Sequence, residues 1–279
     1  MYGRGSCDMK SGLAAMMAAA SYITQHISCE KRGLALVFNG DEEISNKGMK
    51  AISPMGWLRG DAAIIGEPTE CEIHLGNRGA SIHHVVTKGK ACHASRPWLG
   101  DNAIYKMAEA VLRLRDYADK LSKTVVDKYL GPATLSVGVI RGGQHANIVP
   151  DECTAAVERR LLWKEDAAEV SRQIQQAVGD LATVSLKWHC PASLLNVDHP
   201  FVSALSNSVR DALGKEPVIN VFPASTEGAF FSVYNNVPTL ICGPGNVQQA
   251  HTANEWIEVE QIRKAVHIYI ELALRWLKE

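Results

Sequence analysis

Residues 62–69 read Ala-Ala-Ile-Ile-Gly-Glu-Pro-Thr, a four-residue apolar run that stops at a glycine and meets an acid at once. A short continuous apolar run bounded by turn residues suits a strand buried on both faces, and open α/β sheets bind ligands outside the carboxyl ends of such strands. The same pattern occurs upstream, where Leu34-Ala35-Leu36-Val37-Phe38 ends in Asn39-Gly40 and then Asp41-Glu42-Glu43. Two predicted strands therefore carry acids toward one edge of one sheet. Further upstream, the turn Gly3-Arg4-Gly5-Ser6-Cys7-Asp8 precedes Lys10 to Ile27, whose apolar spacing and helix-forming composition predict a buried helix.

Toward the C-terminus the pattern changes. Strands are predicted over 81–87, 133–140, 151–161 and 183–189, with helices over 102–121 and 165–181. That order is β-α-β-β-α-β, the split arrangement of a ferredoxin-like sandwich, with Gly142-Gly143 and Asn147 to Pro150 turning the chain between its central strands. After Pro191 the α/β alternation resumes: a helix over 201–213, strands over 218–221 and 238–242, the turn Gly243-Pro244-Gly245, and a closing helix over 258–277. The expected fold class is α/β, a mixed-sheet domain (1–76 and 190–279) interrupted by an inserted ferredoxin-like α+β domain (77–189).

The 279 residues carry 29 basic and 30 acidic side chains, which gives no electrostatic support to nucleic-acid or membrane-surface binding. The apolar stretch from Gly12 to Ile23 is too short to span a bilayer, and no charged segment leads into a cleavable apolar one, so a cytoplasmic protein is expected. Seven cysteines, odd in number and without a CxxC pair, argue against a disulfide framework or a zinc ribbon. Cys7, beside Asp8, reads as a small filler in a tight turn more than as a nucleophile.

Asp8, Glu42, Glu43, Glu67 and His251 fall in loops expected at strand ends or turns of the α/β domain. Carboxylates gathered at such places repel one another unless protons or cations intervene, and an oxygen-rich set with a histidine suits zinc, cobalt or manganese. Any one of these acids alone is better explained by a solvated loop.

Six motifs in order turn that cluster into a resemblance. They are Gly3-Arg4-Gly5-Ser6-Cys7-Asp8-Met9-Lys10-Ser11-Gly12, Asp41-Glu42-Glu43, Gly66-Glu67-Pro68-Thr69, Cys92-His93-Ala94-Ser95-Arg96-Pro97, Asn147-Ile148-Val149-Pro150-Asp151-Glu152-Cys153, and Gly243-Pro244-Gly245 with Ala250-His251. Together they resemble the M20 family of metallopeptidases and deacylases, the group of acetylornithine deacetylase, succinyl-diaminopimelate desuccinylase and aminoacylase-1, whose catalytic domain is of the zinc-exopeptidase type. The resemblance implies two metal ions, usually zinc, bridged by Asp8, with Glu43, Glu67 and His251 as further ligands. It gives Glu42 the role of general base and His93, from the lid domain of a partner subunit, that of oxyanion donor. Arg160, Asn147 and the backbone of Gly243 and Gly245 are implied to hold the carboxylate of an N-acyl amino acid or dipeptide. It also implies a homodimer formed through the lid domain.

The family has an earlier metal histidine in an H-x-D motif, upstream of the bridging aspartate, and the chain is expected to lack that segment. The expectations that follow are a weakened second metal site and a sheet edge left uncovered. Glu255, four residues after His251, is read either as an acceptor orienting that ligand or as a solvated residue. The expected activity is hydrolysis of an N-acyl amino acid, most like acetylornithine deacetylase on the strength of Ser225-Thr226-Glu227-Gly228-Ala229-Phe230. Desuccinylase or dipeptidase specificity stays open, as do a metal-poor pseudoenzyme and, without metal, a two-carboxylate glycosidase using Glu42 and Glu67.

Overall fold

A computed structural model describes residues 1–27 and 32–278. In chain order the elements are α1 (Lys10–His26), α2 (Lys47–Ile52), β1 (Ala63–Ile65), β2 (Ile73–Asn77), β3 (Gly79–Lys88), β4 (Cys92–His93), α3 (Ala103–Thr124), β5 (Val126–Asp127), β6 (Gly131–Pro132), β7 (Thr134–Gly142), β8 (Ile148–Val149) and β9 (Glu152–Leu161). They continue with α4 (Ala167–Val178), β10 (Thr183–Cys190), β11 (Ser193–Leu194), α5 (Pro200–Leu213), β12 (Ile219–Phe222), α6 (Gly228–Ser232), β13 (Thr239–Ile241) and α7 (Val259–Trp276). The chain divides into two compact units, one of Met1–Asn77 with Ser193–Glu279 and one of Arg78–Ala192.

The first unit is built on a mixed sheet. β1 pairs in parallel with β13, β13 antiparallel with β2, and β2 in turn parallel with β12 and antiparallel with β11. β2 is buried along its whole length, as a strand covered on both faces must be. Its Ile73 and Leu75 join Ala15, Ala19 and Ile23 of α1 and Leu205 and Ile268 of α5 and α7 in one apolar core. Each of the leucines and isoleucines contributes about 1.5–3 kcal/mol by leaving water, and the small alanines let α1 come close, which holds α1 and the turn before it against the sheet.

The second unit has the strand order β10-β3-β9-β7, antiparallel throughout, with α3 and α4 packed on it. The periodicities explain it. Burial alternates strictly along β9, and the buried positions of α3 (Ala103, Met107, Ala110, Leu114, Leu121) recur at helical spacing. Asn102 caps α3 by accepting the N–H groups of Ile104 and Tyr105, and Asp166 caps α4 through the N–H of Glu169.

Two sequence expectations need correction. The run Leu34 to Phe38 is not a strand, and Leu34, Leu36, Val37 and Phe38 are 38–46% exposed. An apolar run becomes a buried strand only beside a partner, and among the described residues β1 is paired on one side alone, to β13. Conversely, β2 was not expected as a strand at all, although it carries three neighbours. The short helices α2 and α6 were also not foreseen. Cys29 lies outside the described residues, and no two of the other six cysteines form a disulfide. No helix among the described residues is long and apolar enough to cross a membrane.

Candidate active site

The turn before α1 is organised by one buried carboxylate. Glu255, 2% exposed, accepts the N–H of Gly5 at 2.9 Å through Oε2 and those of Cys7 and Asp8 at 2.8 and 3.0 Å through Oε1, while Arg4 adds a guanidinium contact at 3.1 Å. Gly5 has φ +78°, a conformation that a side chain would strain, and this lets successive N–H groups face the same acceptor. Burial acts to raise the Glu255 pKa, but those N–H groups and Arg4 outweigh it and the net shift is downward. Glu255 therefore holds the Asp8 turn, and its hydrogen bonds go there, not to His251. Cys7 is fully buried, its thiol pushed up to about 11 chiefly by burial and donated to the Asn246 carbonyl, so it is a filler in this turn.

Three predicted ligands meet. One ligand atom each from Asp8, Glu43 and His251 lies within 4.8 Å of the others, with His251 Nε2 at 2.9 Å from Glu43 Oε2 and 3.5 Å from Asp8 Oδ2. His251 reaches the group from a left-handed residue, φ +61°, in the turn after β13. Glu67, at the end of β1, is 7% exposed and lies beside the Asp8 carboxyl, each acting on the other's ionisation. Among the described residues Asp8, Glu43 and His251 form the group of three, and Glu67 adjoins it through Asp8.

The electrostatics show what this arrangement can hold. The Asp8 carboxyl is held above its ordinary range, first by burial and then by Glu43, with His251 and Glu67 offsetting part of the effect. Glu67 is raised well above its range by burial and then by Asp8, Glu42, Glu227 and Glu43. Glu42 is pushed up to about 8, by burial first and then by Glu227, Glu43 and Asp8. Asp8 is partly buried and Glu67 buried, while Glu43 and His251 reach the group from the exposed side; carboxylates gathered so beside an imidazole are a donor set that a divalent cation relieves, so the residues fit a metal of the zinc, cobalt or manganese type.

Two participants escaped the sequence reading. Glu227, just before α6, exerts the largest charge effect on Glu42, and its Oε2 accepts the Asn39 amide at 2.7 Å. The two residues are 188 positions apart, and in the sequence Glu227 marks only the subfamily. The acids line a cavity of about 680 Å³ together with apolar side chains such as Leu13, Met16 and Ile23 of α1, Ile64 and Leu272, and with the charged Arg32, Arg59 and Asp61.

The glycines expected to offer N–H groups to a carboxylate are already engaged. Gly243 donates to the Thr69 hydroxyl at 3.0 Å and Gly245 to Gln261 Oε1 at 2.7 Å, while the Gly243 carbonyl accepts from Thr69 and Cys71. Here they lock the Gly-Glu-Pro-Thr turn to the turn after β13, which positions Glu67. In the second unit, His93 on β4 is exposed and its Nδ1 lies 2.7 Å from the Ser95 hydroxyl. The Asn147 carbonyl accepts the N–H of Ala94 at 2.9 Å, and β4 pairs with β8, so His93 and Asn147 sit side by side. Alternation along β9 separates its two arginines. Arg159 is fully buried on Glu165, whereas Arg160 is partly exposed and paired with Glu158 at 2.7 Å.

Known proteins resemble this chain in sequence and in fold. The sequence profile of peptidase family M20/M25/M40 matches residues 1–275. A probable succinyl-diaminopimelate desuccinylase of Staphylococcus aureus is 28% identical over all of this chain and 76% of its own length. Among solved structures, the M20 family metallo-carboxypeptidase Sso-CP2 of Sulfolobus solfataricus superposes with a TM-score of 0.80 at 19% identity, over 100% of this chain and 78% of its own. The dipeptidase Dug1p of Saccharomyces cerevisiae does so with a TM-score of 0.79 at 13% identity, over 100% and 73%. With a family profile that spans nearly every residue, the chain belongs to the M20/M25/M40 family of metal-dependent peptidases and hydrolases.

Proposed function

We propose that this chain hydrolyses the amide bond of a small N-acyl amino acid, with an acetylated substrate such as acetylornithine as the first expectation. The observation that carries the reading is the meeting of Asp8, Glu43 and His251 beside the half-buried Glu42. A succinylated substrate or a dipeptide is the second reading, favoured by the desuccinylase among the relatives and the dipeptidase among the similar folds.

Asp8, Glu43 and His251 would hold one divalent cation, zinc in the first instance, and Asp8 with Glu67 would contribute to a second. Such ions polarise a scissile carbonyl and lower the pKa of water. Glu42 takes the proton of the attacking water and returns it to the leaving nitrogen, a shuttle that works best when the carboxyl pKa lies near the operating pH. Burial and Glu227 move it in that direction. His93, supplied by a second copy, donates to the developing oxyanion, and Arg160 with Asn147 holds the free carboxylate of the substrate. Supporting a homodimer through the second unit is β7, at the edge of its sheet, where Val139 and Ile140 are 44% and 51% exposed. A cytoplasmic location accords with the absence of disulfides among the described cysteines.

The test is a panel of acetylated, succinylated and dipeptide substrates assayed with Zn²⁺, Co²⁺ or Mn²⁺. Metal-dependent cleavage of an acetylated amino acid supports the first reading, preference for a succinyl compound or dipeptide supports the second, and cleavage that survives chelation contradicts both.

A further inference from the structure

Glu42 and Glu43 sit on a turn of unusual tightness. Asp41 and Asn46 both have positive φ, Asn46 donates its N–H to the Asp41 carbonyl at 2.7 Å, and its amide bonds the Glu42 carbonyl at 3.2 Å. Asp41 also accepts the Ser45 hydroxyl and the Lys47 N–H. These contacts shape the turn internally. They do not fix where it lies against the sheet.

That second task needs an anchor outside the turn, and Glu227 has the right surroundings. It opens α6, whose first turn is set by Thr226: the hydroxyl accepts the Gly228 N–H at 3.1 Å. Gly228 packs against Ile65 of β1 and Thr239 of β13 so closely that an added Cβ would lie 3.3 and 3.5 Å from them. From this rigid seat Glu227 Oε2 holds the Asn39 amide at 2.7 Å, two residues before Asp41. Its other oxygen, Oε1, is buried, and the Asn46 side chain of the turn itself lies beside the same carboxyl. The Asn39 and Asn46 amides both favour its ionised form without outweighing burial, which leaves its pKa raised. A carboxylate kept at that cost inside the cavity wall, apart from the three grouped ligands, calls for a role.

We propose that Glu227 is the positioning residue of the turn carrying Glu42 and Glu43: through Asn39 it fixes the base and one metal ligand relative to Asp8, and it touches neither substrate nor metal. For turnover this rests on the amidohydrolase reading; for metal binding it does not. An outer partner that orients a ligand typically changes metal affinity by about 10–100-fold when removed.

The experiment is a double-mutant cycle on the full chain with Asn39→Ala, Glu227→Ala and both together, plus Glu227→Gln, which keeps a carbonyl acceptor for the Asn39 amide. Mn²⁺ affinity is read by calorimetry and turnover on the best substrate of the panel. Each alanine variant should bind Mn²⁺ at least about 10-fold more weakly, the double variant about as weakly as the worse single one, and Glu227→Gln within about threefold of wild type. The proposal is overturned by Glu227→Ala binding within about twofold of wild type, by multiplicative losses in the double variant, or by Glu227→Gln failing as badly as alanine. Should Glu227→Ala not fold, loss in Asn39→Ala with retention in Glu227→Gln supports the proposal and the converse overturns it. A coupled cycle in a protein that cleaves no member of the panel rejects the amidohydrolase reading and leaves the positioning role standing.

Discussion

Glu255 accepts the main-chain N–H of Asp8 at 3.0 Å, so the carboxylate that anchors the first turn and the carboxylate that faces His251 are two residues in one rigid unit. Removing a buried carboxylate that serves three N–H groups leaves those donors unpaired, at a cost of about 3–5 kcal/mol. Glu255→Ala is expected to lower the midpoint of thermal unfolding by about 2–4 °C for each kcal/mol lost and to weaken metal binding as the Asp8 turn loosens. Calorimetric melting checks the first effect and metal titration the second. Unchanged melting and metal affinity would remove Glu255 from the account.

Glu42 stands beside Asp8, Glu43 and His251 without being one of the three that meet. Glu42→Gln keeps its volume and removes the proton acceptor, so turnover should fall by about 10²–10⁴-fold while metal affinity stays within a few fold. Assay and titration of the same preparation check this. Near-normal turnover would take the base role from Glu42.

The raised carboxyls make stability depend on pH in an unusual direction. A carboxyl whose folded pKa exceeds its unfolded value contributes stability that is complete below the unfolded pKa and is lost as pH rises through the folded one. For Glu42 that window runs from the ordinary 4.5 to about 8, and the upward shifts of Asp8 and Glu67 act in the same sense. Metal-free protein should therefore melt at progressively lower temperature between about pH 5 and pH 9. Saturating Zn²⁺ should reverse the trend, because the ligands bind it deprotonated. A metal-free melting temperature that rises over this range would contradict the assigned burial of the acids.

Close packing at the carboxyl end of β1 sets a limit on Gly12. A Cβ there would lie 2.2 Å from the Gly66 carbonyl oxygen, and both are backbone-fixed. Gly12→Ala should push α1 off the sheet, costing about 1–3 kcal/mol or more, with metal affinity falling because Asp8 precedes α1 and Glu67 follows Gly66. Urea unfolding measures the first. A change under about 0.5 kcal/mol would mean the contact is looser than described.

The parts of this protein that were legible in sequence are those whose burial repeats along the chain. α3 and β9 show their periods in the residues themselves, and α1 announces itself by composition. β2 was hidden because Ile73-His74-Leu75-Gly76-Asn77 mixes polar and apolar residues, and its burial comes from β11, β12 and β13, all more than a hundred residues away. Leu34 to Phe38 misled in the opposite sense: apolarity marks a segment able to be a strand, and pairing decides whether it is one. At the site, Asp8, Glu43 and His251 could be named from motifs. Asn39 and Glu227 could not, since a single hydrogen bond across the fold leaves no local pattern. The glycines of Gly243-Pro244-Gly245 were legible as a turn, but only the structure shows their N–H groups spent on Thr69 and Gln261.

The proposed function requires above all that Asp8, Glu43 and His251 form one metal centre. Crystals of the full chain grown with Zn²⁺ and measured across the zinc absorption edge test it most directly. An anomalous peak about 2.0–2.2 Å from an oxygen of Asp8, an oxygen of Glu43 and a nitrogen of His251 is the predicted result. A chain that takes up zinc with no peak among these three residues would contradict it.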